Sequence, residues 1–323
     1  MMSPPQVQPI FRGASDRRRA FGWSARLLCG GGAVFGCGML VESVAMAPHQ
    51  GARAAEDPKP GDVPRAKVAV VPHDSAATKR PSAFSSTHST ADVEAVNRAK
   101  RMMTDCRSKY DAVHDYTCTF YKRERFDGKL SDLHVLAMKA RTRPLSFYFK
   151  CATPKPGREA IWIKGKNNGK VVAHDAGLVK VLAGTMNLDP KGDIAMEDNR
   201  HPITEAGLGN MIDTIRHRWD LELKPGVTRV EFHPQMKVGD RVCTMIETTH
   251  PRHDGTFVFH RARVYIDDKL GLPIRLEGYD WPKHVGAEPE LVEEYTYANL
   301  RINIGLTDRD FDPANPLYSY GRF

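Results

Sequence analysis

Residues 264–282, VYIDDKLGLPIRLEGYDWP, and 293–312, EEYTYANLRINIGLTDRDFD, decide the fold of this chain. Val264, Tyr265 and Ile266 form a β-branched and aromatic run that ends at Asp267-Asp268. Gly271 supplies a positive φ for a turn, and Pro273 presets the entry into Ile274-Arg275-Leu276-Glu277. A third extended run, Glu294-Tyr295-Thr296-Tyr297, alternates polar and apolar before Leu300 and Ile302. Three extended segments in a row describe an antiparallel meander.

The same pattern recurs upstream. Tyr116–Arg125 runs into Asp127-Gly128, a strong hairpin signal, and Lys129–Arg143 returns. Pro144 breaks that strand before Leu145–Cys151, where Leu145, Phe147, Phe149 and Cys151 alternate with Ser146, Tyr148 and Lys150. Glu159–Lys164 and Lys170–His174 flank the turn Asn167-Asn168-Gly169, and further strands are expected at Thr228–Phe232, Arg241–Thr248 and Phe257–Asp267. Two segments break the strand rhythm. Asp92–Val113 places Val96, Ala99, Met103, Cys106 and Tyr110 at helical steps. Pro202–Leu221 does the same with Ile203, Ala206, Leu208, Met211, Ile212, Ile215 and Trp219, and Thr204-Glu205 is expected to open that helix. No βαβ alternation is present, which excludes a parallel α/β fold.

The first ninety residues do not describe a packed domain. Arg17-Arg18-Arg19 and Arg26 precede the short apolar run Leu27–Val41, and Ala52-Arg53-Ala54 offers a cleavage site, so residues 1–54 read as a signal peptide. Arg18-Arg19-Ala20-Phe21 resembles part of a twin-arginine motif, and Val34-Phe35-Gly36-Cys37 resembles a lipoprotein box in which Phe35 fits poorly. The export route stays open, and membrane association is expected only through this signal or through lipidation. Residues 55–90 are rich in Ala, Pro, Ser and charge and read as a disordered linker. The folded unit is therefore 91–323, and the expected location is the periplasm or cell envelope.

Charge excludes one class of partner. The net charge is +8, of which residues 1–90 carry +5, from eleven basic and six acidic residues. The densest basic cluster, Lys122-Arg123-Glu124-Arg125, contains an acid and reads as a solvated strand end, so no nucleic acid is expected. Beyond the signal, Cys106, Cys118, Cys151 and Cys243 lack CxxC spacing and read as buried thiols, with room for one disulfide. His250-Pro251-Arg252-His253 brings two imidazoles without a third ligand, so neither a metal nor a cofactor is expected.

The words Tyr265–Glu277, Glu294–Leu300 and Phe311–Pro313 resemble the closing strands of the outer-membrane lipoprotein carrier superfamily. Asp115–Phe120, Lys122-Arg123-Glu124, Gly157-Arg158-Glu159 and Asn199–Glu205 resemble an uncharacterised family of exported bacterial proteins related to that superfamily. The resemblance implies an α+β fold, with a strongly curved antiparallel sheet forming a half-open barrel. An N-terminal helix and a helical insertion would cover its concave face. It further implies a non-catalytic domain that holds an acyl chain, lipid or other apolar ligand, with Leu136, Met138, Phe147, Phe149, Ile161 and Ile163 facing the cavity. Arg158, Glu159, His174, Arg200, His201 and Glu205 are its polar motif residues. Two alternatives accompany this reading: an envelope sensor or scaffold of the same fold that binds a protein partner, and a hydrolase using His174 or His201. The absence of GxSxG, HExxH, GxxxxGK[ST] and GxGxxG motifs weighs against the last.

Overall fold

A computed structural model describes residues 89–175, 184–253 and 255–320. The expected signal peptide and all but the last two residues of the expected linker lie outside them. Ser89 and Thr90 belong to the first helix, α1 (Thr90–Tyr110), which buries Val96, Ala99, Met103, Cys106 and Tyr110 as their spacing requires. It starts earlier than Asp92 because Ser89 caps it. The Ser89 hydroxyl accepts from the Asp92 amide at 3.1 Å, and the Asp92 carboxylate accepts from the Ser89 amide.

Twelve strands follow among the described residues: β1 (Asp115–Phe126), β2 (Lys129–Leu130), β3 (His134–Thr142), β4 (Leu145–Thr153), β5 (Glu159–Ile163), β6 (Val171–His174), β7 (Thr185–Leu188), β8 (Arg229–Val238), β9 (Arg241–Thr249), β10 (Arg261–Asp267), β11 (Leu272–Tyr279) and β12 (Leu291–Ile302). They form one antiparallel sheet in the order β7-β6-β5-β4-β3-β1-β12-β11-β10-β9-β8, with β2 folded back on the end of β1. The outermost strands β7 and β8 are not paired with each other, so the curved sheet is unclosed. Two meanders are thus joined at the single long pair β1–β12, with Phe120 opposite Tyr297 and Glu124 opposite Glu293. Gly271 takes the expected positive φ, 64°, at the β10–β11 turn.

Between β7 and β8 lies an insertion. It holds a short helix α2 (Asp193–Met196), a 3-10 turn at Ile203–Glu205 and the helix α3 (Leu208–Glu222). Thr204-Glu205 therefore does not open α3. Gly207, at φ 94°, ends the 3-10 turn and redirects the chain, and α3 starts one residue later. Its first amide, Leu208 N–H, donates to the Tyr116 hydroxyl at 2.9 Å. α1 and α3 pack on the concave face, where Leu208, Ile212, Met103 and Ile274 are fully buried in the main core.

The opposite face of β3–β5 is covered by residues 303–320. Asp115 starts this strap by accepting amide protons from Ile304, Gly305 and Leu306. Phe311 and Tyr318 then join Tyr148 and Ile161 in a second, smaller apolar cluster, with the Tyr148 and Tyr318 rings stacked at 4.1 Å. All four described cysteines are buried free thiols, which leaves no disulfide among them.

Gly207 gives the first test. A Cβ built there would stand 2.8 Å from a Phe147 ring carbon and 2.9 Å from the Tyr116 hydroxyl, at a φ that disfavours any side chain. Gly207→Ala is expected to cost about 2–4 kcal/mol, from combined strain and overpacking. Urea denaturation of the purified chain measures it, and an unchanged midpoint would contradict this account of the α3 start.

Candidate functional site

Strand alternation carries Tyr116, Cys118 and Phe120 into the core, and the same parity continues to Lys122 and Glu124. Lys122 and Glu124 are consequently 7% and 3% exposed, so the solvated strand end expected from KRER is wrong for these two. The chain tolerates the burial because every charge is answered. Lys122 Nζ donates to Glu124 Oε2 at 3.0 Å, to the Asp198 carbonyl at 2.8 Å and to Asn199 Oδ1 at 2.6 Å. Glu124 also accepts from the Tyr295 hydroxyl at 2.6 Å and from the Arg200 amide at 3.1 Å. Burial raises the Glu124 carboxyl, but Lys122, Tyr295 and His201 together hold it below the usual carboxylate range.

The insertion supplies the other half. Arg200 Nε donates to Glu293 Oε2 at 3.2 Å and its Nη1 to the Arg125 carbonyl at 2.9 Å. His201 Nε2 lies 3.1 Å from the same Glu293 oxygen, and its Nδ1 stands 4.0 Å from Glu205. Burial pulls the His201 imidazole down, yet the Glu293 and Glu124 carboxylates outweigh it and the net shift is upward. Burial raises the Glu205 carboxyl against the opposing pull of His201 and Lys191. Arg200, His201 and Glu205 of the NRHPITE segment are thus brought together on the concave face, against Glu124 and Glu293.

A second polar group adjoins the first. Arg158 forks onto Asp175 through Nε at 3.0 Å and Nη2 at 2.8 Å, and Lys155 Nζ sits 2.5 Å from Asp198. His174 and Glu159 belong elsewhere. One residue along β5 from Arg158, Glu159 points to the strap side, accepts from the Ser319 amide and lies 3.6 Å from His174 Nε2. His174 Nδ1–H donates to the Asp175 carbonyl at 2.7 Å, and its ring meets Tyr320 edge-on. The two histidines of the hydrolase alternative therefore lie on opposite faces of the sheet.

The apolar candidates divide in the same way. Leu136, Met138, Phe147 and Phe149 share the concave face, but Ile161 pairs with Tyr148 and Ile163 with Ser146, on the strap side. The expectation that the two isoleucines face the cavity is corrected by parity: their β5 neighbours Ala160 and Trp162 point inward instead. Glu293 and Tyr295 are site residues that the sequence reading did not single out, though the alternation of EEYTY carried the signal.

The family model described as "Protein of unknown function (DUF1571)" matches residues 113–320, the stretch that holds β1 to β12 and every group named above. The chain belongs to the DUF1571 family. No curated protein matches it. Among solved structures, the lipoprotein LppX of Mycobacterium tuberculosis is similar at 12% identity, covering 67% of this chain and 99% of that one, with a TM-score of 0.39. A LolA superfamily protein from Nitrosomonas europaea is similar at 9% identity, covering 66% and 97%, with a TM-score of 0.28. The complex of Pseudomonas aeruginosa MucA and MucB includes a chain similar at 10% identity, covering 67% and 60%, with a TM-score of 0.38. Among the described residues no helix is long and apolar enough to cross a membrane.

Two measurements test the network. Lys122→Met leaves Glu124 buried without its main counter-charge, and is expected to cost about 3–5 kcal/mol by denaturant titration. The second is pH linkage. His201 is raised above its ordinary 6.5, so its contribution to stability is full below pH 6.5 and is lost as pH climbs through the folded value. Glu222, buried near the end of α3 and pushed up to about 7, titrates in an overlapping range, so the readout is the stability difference between wild type and His201→Gln. That difference should shrink steadily as pH rises above 6.5, and a flat profile would remove His201 from the network.

Proposed function

We propose that this domain is an exported, non-catalytic binding protein of the cell envelope, which holds an acyl chain or similar apolar ligand on the β4–β7 part of its concave face. The observation that carries the reading is one row of the sheet. Met138, Phe149, Ala160, Ala173 and Met186 stand side by side in register across β3 to β7. The flanking row is Ala140, Phe147, Trp162, Val171 and Leu188. Two adjacent alanines between larger neighbours make an apolar trough, and both are only partly buried. Each methylene withdrawn from water contributes ~0.8 kcal/mol, so about ten along such a trough supply ~8 kcal/mol before the cost of association.

Export is supported by the signal-like N-terminus. The non-catalytic reading is supported by the histidines standing on opposite faces and by Lys122 and Glu124 spending their charges on each other and on residues 198–200. One observation favours the scaffold alternative: α1 and α3 fill the concave face in front of β8–β12 with their own core residues. Binding measurements separate the two.

Phe149 is a poor probe, because it is 9% exposed and packed on Phe120 and Phe147, so a charge there would unfold the domain. Ala160→Phe fills the trough instead. Wild type is expected to bind dansyl-undecanoic acid at micromolar concentration. The variant should bind at least about tenfold more weakly, with a melting temperature within a few degrees. Absence of binding by wild type would leave the scaffold alternative standing.

A further inference from the structure

The trough has a charged end. On the concave face the next row runs Leu136, Cys151 and Arg158, with the Cys151 amide donating to the Arg158 carbonyl at 2.8 Å. Lys155 stands in the β4–β5 connection three residues before Arg158. These two cations face three carboxylates: Asp175, Asp198 and Glu197, whose Oε2 lies 3.6 Å from Lys155 Nζ. Asp175 follows β6 and takes Arg158 in a two-point fork. Asp198 comes from the insertion, with one oxygen, Oδ2, 2.5 Å from Lys155 Nζ and 3.6 Å from Arg158 Nη1. The side chains of Lys155, Arg158 and Asp198 are each about a third exposed, at 38%, 34% and 34%, so solvent and solutes reach them. Burial works against the Asp198 carboxylate, but Lys155 and Arg158 hold its proton affinity below the usual carboxylate range.

Lys155 and Arg158 therefore make a place for a carboxylate that bridges them, filled by Asp198, while Glu197 stands beside Lys155. The backbone of that residue is tied down separately, since the Asp198 carbonyl and the Asn199 side chain both accept from Lys122. The Asp198 side chain can leave without the insertion coming loose.

We propose that this place receives the carboxylate of a long-chain fatty acid whose chain lies in the trough, the ligand's head group replacing Asp198. The proposal rests on the apolar-ligand reading above. Charge selects the head group. One carboxylate for another keeps the balance, whereas a dianionic phosphate would add a negative charge beside Asp175. An alcohol or ester cannot compete with Asp198 for the two cations and gains nothing from them. The trough then binds chain and the cations choose the head.

The test titrates the purified full chain with dansyl-undecanoic acid, with its methyl ester, and with acetate as a chainless carboxylate. Wild type is expected to bind the acid about tenfold more tightly than the ester. Lys155→Gln should remove that preference by weakening the acid alone, with a melting temperature near that of wild type. Asp198→Asn, which removes the carboxylate bridging the two cations, should tighten the acid several-fold and leave the ester unchanged. Equal binding of acid and ester by wild type overturns the head-group proposal and leaves the trough reading intact. Acetate that displaces the acid at comparable concentration makes this a site for free anions, and overturns the fatty-acid ligand. If neither dansyl probe binds, both readings fail together.

Discussion

The antiparallel pair β1–β12 is the constraint on which everything else hangs. It joins residues 115–126 to 291–302, two segments some 170 positions apart, and among the described residues it is the only strand pair that links the two meanders. Closing so long a loop costs conformational entropy before any ladder hydrogen bond is gained, so this pair must be secured by more than its backbone. On the concave side Phe120 packs on Tyr295 and Tyr297. On the opposite side Arg123 bonds Glu294, which Arg275 of β11 also holds. The same strands carry Lys122, Glu124 and Glu293, which reach out to the insertion. The pairing that closes the sheet is thus also the pairing that assembles the polar site.

Buried charges are an expensive way to hold an insertion. A well-packed apolar contact would stabilise as much with no desolvation penalty, so stability alone does not account for Lys122 and Glu124. What they add is direction. Lys122 spends three donors on Glu124, Asp198 and Asn199, and Glu124 accepts from Arg200, so only one placement of residues 198–200 satisfies both ions. An apolar patch would accept a range of placements. The insertion is fixed at that point while the rim beside it, at Lys155, Arg158 and Asp198, stays open to solvent.

Most strand positions and the α1 stripe were legible because alternation and helical spacing are local properties, but the strand expected from Phe257 starts at Arg261 and β7 was not foreseen. Asp127-Gly128, Asn167-Asn168-Gly169 and Gly271 all marked turns that the structure contains. The shared face of Leu136, Met138, Phe147 and Phe149 followed from parity within β3 and β4. The failures arise where parity must be carried across strands. The resemblance places Ile161 and Ile163 in the cavity with Phe147 and Phe149, yet the register Phe149–Ala160 sends them to the strap side. That strap, residues 303–320, gives the isoleucines an apolar cover that no local pattern announces. Lys122 and Glu124 failed for the converse reason. Charge suggested solvent, although their parity with Phe120 pointed into the core.

Strand β5 shows how a single segment of five residues serves both faces. Glu159, Ile161 and Ile163 meet the strap, with Glu159 accepting from Ser319 and Ile161 lying beneath Phe311 and Tyr318. Ala160 and Trp162 meet the concavity between Phe149 and the short strand β6. Packing on the strap side fixes the register of β5, and register fixes where the small residues fall on the other side. A one-residue slip would turn Ile161 into the trough and bury Ala160 beneath the strap, exchanging a depression for a ridge. The aromatic strap, remote from the concave face, therefore decides the shape of that face. Its residues act on the trough without touching it.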